Sequence, residues 1–78
     1  MSESYINIVG DNRKAIAEAI ADYYDSKVVQ FEDGTISVLV NADVEAAFCI
    51  NEDIMMESIN EVNQSRPNLN ITPDNLDF

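Results

Sequence analysis

Two β-rich runs, Lys27-Val-Val-Gln-Phe-Glu32 and Thr35-Ile-Ser-Val-Leu-Val40, are separated only by Asp33-Gly34. An Asp-Gly pair supplies the positive φ angles of a tight hairpin turn, so the segment is expected to fold back on itself as two antiparallel strands. Period-2 alternation is expected to put Val29, Phe31, Ile36, Val38 and Val40 on one buried face. Gln30, Glu32, Thr35, Ser37 and Leu39 would then occupy the other.

The flanking segments extend this pattern. Tyr5-Ile-Asn-Ile-Val9 is a short β-type run that stops at Gly10, and Asp11 or Asn12 can cap a following helix. From Arg13 to Asp25, the apolar residues Ile16, Ala19, Ile20 and Tyr23 fall at helical intervals. After Asn41-Ala-Asp43, Val44-Glu-Ala-Ala-Phe-Cys-Ile50 alternates as a third strand of the hairpin meander. Its inward residues would be Val44, Ala46, Phe48 and Ile50, although its alanine and glutamate content also permits helix. Ala47 and Cys49 would join Leu39 as a small apolar patch on the open face, alongside Glu45. Cys49 itself, the single cysteine, reads most simply as a small buried residue. Asn51 is a good N-cap, Glu52 and Asp53 suit the positive end of a helix, and Met55, Ile59 and Val62 repeat as a buried stripe beside Ile54. Pro67 disfavours helix at Arg66, so that helix should end near Ser65.

The expected architecture is α+β, in the order β-α-β-β-β-α, with a sheet of three or four strands and two helices on one face. A compact acidic domain would span residues 1–66. Residues 67–78, with two prolines and no periodicity, would form a tail or strap.

Charge is distributed very unevenly over this framework. The chain has 78 residues and a formal net charge of −11. Between Lys27 and Arg66 there is no basic residue, while Glu32, Asp33, Asp43, Glu45, Glu52, Asp53, Glu57 and Glu61 all fall there. Hydrophobic residues make up 46%, enough for a folded core, so the acids are expected on a rigid body rather than in a disordered tail. Such a field repels nucleic acid and anionic membrane and attracts basic protein surfaces.

Several classes of chemistry find no support. The absence of histidine removes imidazole catalysis and His-containing zinc sites, and one cysteine is too few for iron–sulfur ligation or an internal disulfide. No nucleophile elbow, P-loop, dinucleotide fingerprint or EF-hand loop is present. Asp25-Ser26 invites comparison with the attachment site of acyl carrier proteins, but Lys27 follows the serine and a β-rich segment comes next. No catalytic residue, cofactor or metal site is expected. With neither a signal peptide nor an apolar run of spanning length, the chain reads as soluble and cytoplasmic.

The residues most suited to binding are Asp53, Glu57 and Glu61. At +4 spacing they line one side of the second helix, about 6 Å apart in rise. Like charges so placed are mildly destabilising, and a lysine among them would have been better for the helix alone. Glu32, Asp33, Asp43 and Glu45 would support them. The last residues, Pro73-Asp-Asn-Leu-Asp-Phe78, resemble the acidic tips that end bacterial and phage single-stranded-DNA-binding proteins. That resemblance implies Leu76, Asp77 and Phe78 as an anchor for a partner's basic pocket. In size, charge and lack of motifs the whole chain is similar to the small acidic inhibitors encoded by bacteriophages, namely anti-restriction, anti-CRISPR and uracil-glycosylase-blocking proteins. The resemblance implies a non-enzymatic DNA mimic that occupies a basic, nucleic-acid-handling protein. The alternative is an assembly module that forms a homodimer through the free sheet face or edge, its charge serving solubility.

Overall fold

A computed structural model describes residues 3–77. It contains β1 (Glu3–Ile8), α1 (Arg13–Tyr23), β2 (Lys27–Gln30), β3 (Ile36–Asn41), α2 (Ala42–Ile50), α3 (Glu52–Ser65) and β4 (Leu76–Asp77), with two 3-10 turns between α3 and β4. The four strands form one antiparallel sheet in the order β2-β3-β1-β4. The fold is α+β, as the sequence implies. Strands β1 and β2 run parallel to each other but do not pair, because β3 lies between them and is antiparallel to both.

One face of the sheet carries the core. Ile6 and Ile8 of β1 stand opposite Val38 and Ile36 of β3, and Leu76 of β4 stands opposite Ile8. These residues, with Val40, are buried against Ile16, Ala17, Ile20 and Ala21 of α1, Phe48 of α2 and Met55, Ile59 and Val62 of α3. All three helices therefore contribute to a single apolar cluster above one side of the sheet. Full burial of an aliphatic side chain of this size contributes about 1.5–3 kcal/mol, so these contacts dominate the stability of so small a chain.

Residues 44–50 are helical, which corrects the expected third strand. Asn41 is both the last residue of β3 and the N-cap of α2, its side-chain oxygen accepting the Asp43 N–H at 2.8 Å. Asp43 and Glu45 then occupy the first turn, where negative charge is favoured. No loop is left in which the chain could reverse, and β3 already has β1 and β2 as neighbours on its two sides. Val44 and Phe48, four residues apart, pack on the core, whereas Ile50 is 85% exposed and Cys49 is exposed, contrary to expectation. The fourth strand comes instead from β4, beyond the last helix.

The hairpin turn is one residue longer than the simplest reading. The Phe31 N–H donates to the Thr35 carbonyl at 2.8 Å and the Gly34 N–H to the Phe31 carbonyl at 3.0 Å, leaving Glu32-Asp33-Gly34 as a three-residue loop. Gly34, at φ 93°, takes the left-handed position that closes such a loop. A one-residue change in register moves every side chain of one strand to the other face. Val28, opposite Val38, therefore packs on the core, while Val29 and Phe31 lie on the bare side with Ser37 and Leu39.

The chain after α3 returns across the molecule. Asn63 clamps it, donating to the Ile71 carbonyl at 2.9 Å and accepting the Ile71 N–H at 2.8 Å, and Ile71 is buried. Asn75 reaches β1, where its carbonyl accepts the Val9 N–H at 2.8 Å and its Nδ2 donates to the Val9 carbonyl at 2.9 Å. The same Nδ2 would lie 2.8 Å from a Cβ at residue 10, which explains a glycine there.

Candidate protein-binding surface

Helix α3 forms where it does for local reasons. The Asn51 side chain accepts the Asp53 N–H at 3.0 Å, Glu52 and Asp53 fill the first turn, and Met55, Ile59 and Val62 turn inward. The opposite side of the helix carries Asp53, Glu57 and Glu61, all exposed. From Asp53 to Glu61 the row is about 12 Å long. The structure thus brings together the three carboxylates that the spacing singled out.

Two tyrosines of α1 and its C-cap border this row. The Tyr23 hydroxyl donates to Glu61, and Tyr24 donates to the Ser58 hydroxyl at 2.7 Å. The bond to Glu61, reinforced by partial desolvation and by the nearby charges of Glu61 and Glu57, pushes the Tyr23 phenol up to about 12. Burial pushes Tyr24 up as well. Tyr23 reads from sequence as part of the core face of its helix. It is instead partly exposed at the rim of the acidic row, next to two carboxylates it cannot neutralise. Ile54 is also exposed on α3, adjoining the row. These neighbours were missed because an apolar residue at a helical interval looks buried whether or not another element covers it.

The cation that ends the basic-free stretch is engaged. The Arg66 guanidinium meets the Asp22 carboxylate at 2.6 Å, on the side of α1 facing the end of α3. Arg13 donates to the Gly10 carbonyl at 3.2 Å, at the far end of α1.

The supporting acids do not join the row. Glu32 and Asp33 lie in the β2–β3 loop, and Asp43 and Glu45 lie in the first turn of α2, at the other end of β3. At about 3.3 Å per residue, the strand sets these two groups roughly 17 Å apart. Asp33 accepts the Thr35 N–H at 2.9 Å, which holds its carboxyl below the usual range. Glu45 accepts a hydrogen bond from the Ser4 hydroxyl and is tied to the start of β1. Of the C-terminal trio, Leu76 is buried in the core, Asp77 is exposed in β4, and Phe78 lies outside the described residues.

No family model, curated protein or solved structure matches this chain. Among the described residues, no three histidine, cysteine, aspartate or glutamate side chains gather into a group that could hold a metal ion. Among the described residues, no helix is long and apolar enough to cross a membrane.

Proposed function

We propose that this protein is a non-enzymatic acidic binding module that docks on a basic, nucleic-acid-handling protein and blocks or regulates it, in the manner of small phage-encoded anti-restriction and anti-CRISPR inhibitors. The observation that carries the reading is the exposed row Asp53-Glu57-Glu61 on a capped, well-packed helix, in a stretch of sequence without a single cation. A helix costs little further ordering on binding, so its carboxylates can compete with phosphates for lysine and arginine side chains. The net charge accelerates encounter, and the cytoplasm is where such a partner would be met.

Capture of partners from a bacterial lysate, at about 0.05 M and about 0.5 M NaCl, tests this. Basic nucleic-acid-binding proteins should be retained at low salt and released at high salt. Glu57→Lys, alone and with Glu61→Lys, should remove them while circular dichroism shows an unchanged fold. Retention that ignores both salt and charge reversal sinks the reading.

A further inference from the structure

We infer that the acidic row is half of an amphipathic docking surface, completed on its flank by Ile50, Ile54 and the ring of Tyr23, and that the element it grips is a basic amphipathic helix of the partner. This rests on the reading of a basic partner given above and names the part of that partner in contact.

The local sequence does not force Ile50 into water. Asn51 caps α3, so Ile50 and Met55 hold the two positions that commonly close against each other across a helix start. Met55 is buried, yet Ile50 is 85% exposed, more than any other large apolar side chain among the described residues. The rest of α2 has the same character. Apart from Asp43 and Glu45 every residue in it is apolar, and a helix apolar on all sides is ordinarily enclosed by protein. Here only Phe48 is buried, while Ala46, Cys49 and Ile50 are exposed.

The apolar strip runs beside the carboxylates. Ile54 lies three residues before Glu57 and seven before Glu61, so the three share a side of α3, with about 10 Å of helix from the first to the last. Ile54 is 41% exposed on that side. Ile50 precedes it by four residues, across the Asn51 cap. At the other end the Tyr23 hydroxyl donates to Glu61, which holds a half-exposed ring against the row. Glu52 and Asp53 lie between the two isoleucines in sequence, and both are exposed.

Charge and shape together select the occupant. With no cation between Lys27 and Arg66, a second copy of this surface would meet its own sign, and an anionic membrane would be repelled. Phosphate mimicry alone gains nothing from bare isoleucines, so the partner must bring apolar groups as well as cations. A strand sends successive side chains to opposite faces and offers a single file. A helix offers adjoining files, one basic and one apolar, and its one-turn repeat of about 6 Å matches that of the carboxylates. Two to three turns of such a helix cover the strip. Its lysines and arginines would meet Asp53, Glu57 and Glu61, and its apolar side chains would cover Ile50 and Ile54. The carboxylates then set the encounter rate and the salt dependence, and the isoleucines set how slowly the complex parts.

Two synthetic peptides of about 18 residues test this with the full chain. Both contain the same leucines and lysines. In one the leucines recur at helical spacing as a stripe, and in the other their order is scrambled. Titration calorimetry at about 0.05 M and about 0.5 M NaCl should show the patterned peptide binding at least tenfold more tightly than the scrambled one at both salt concentrations. Ile50→Ser should lower affinity for the patterned peptide roughly tenfold and leave the scrambled one unchanged, with Ile54→Ser adding to the loss. Glu57→Lys should weaken both peptides. Ile50→Ser is decisive if Ile54→Ser disturbs the fold, because Ile50 packs on almost nothing. Equal affinity for the two peptides, still lost in Glu57→Lys, overturns the inference and leaves the acidic reading standing. Binding indifferent to Glu57→Lys overturns both. Self-association, or adsorption to phosphatidylcholine vesicles, that disappears in Ile50→Ser while the peptides bind alike would also overturn it, assigning the strip to a second copy or to a lipid surface.

Discussion

The two faces of the sheet are built from alternate residues of the same strands, yet they have different roles. On β1 and β3 the even-numbered residues Ile6, Ile8, Ile36, Val38 and Val40 disappear beneath three helices. The odd-numbered residues Tyr5, Asn7, Ser37 and Leu39 face away from every helix. On that bare side only Ser37 is fully buried, at 0% exposure, and its hydroxyl donates to the Asn7 side-chain oxygen at 2.5 Å. A buried polar group satisfied by its cross-strand neighbour is tolerable, whereas the same hydroxyl among Ile6 and Val38 would have no partner. Burial therefore has two meanings here. One face is dry because helices cover it. The other is patchily covered by its own aromatic side chains, which leaves apolar area available for contact.

This contrast makes graded predictions. The largest effect should come from Ile6→Ala or Val38→Ala. Each leaves a cavity under the helices and should cost about 3 kcal/mol, measured by urea denaturation. In a chain this small such a loss approaches the whole stability margin. Leu39→Ala or Phe31→Ala on the bare face should cost no more than about 1 kcal/mol, because much of the lost area already faces water. Equal losses on the two faces would mean that the bare one is covered in solution.

A further test concerns how the helix layer is held. Asn51→Ala removes the cap of α3 and should destabilise by about 1 kcal/mol, with Asn41→Ala similar for α2. The smallest effect is a pH signature at the rim of that layer. Tyr23 has a folded pKa raised to about 12, above the value near 10 for an unfolded chain. The folded state thus holds its proton more tightly. The associated stability is fully present below about pH 10 and is lost as pH rises toward about 12. Absorbance titration should show Tyr23 and Tyr24 ionising late, and Glu61→Gln should bring the Tyr23 step back toward 10. A titration unchanged by Glu61→Gln would remove the tyrosine from the acidic row.

Local signals made much of this legible. Helices α1 and α3 were readable because their apolar residues recur at 3.6-residue intervals, and α3 because Asn51, Glu52, Asp53 and Pro67 mark both of its ends. The acidic row followed at once, since +4 spacing on a helix fixes a shared side. Residues 42–50 misled because Val44, Ala46, Phe48 and Ile50 alternate while Val44 and Phe48 are also one helical turn apart. The deciding signal was present in the Asn41 cap with Asp43 and Glu45 behind it, a pattern repeated at Asn51 and Asp53. Nothing in the sequence announced β4, whose two residues become a strand only because β1 offers an open edge.

The sequence by itself determined the α+β class, the hairpin, the two long helices and the concentration of negative charge, because each depends on neighbours within a few residues. The tertiary structure alone decided which face Val29 and Phe31 take, whether residues 42–50 extend or coil, and how far the acidic groups lie from one another. Those outcomes depend on register and on which edges remain unpaired. A single residue in a turn reverses the first, and only the assembled sheet defines the second.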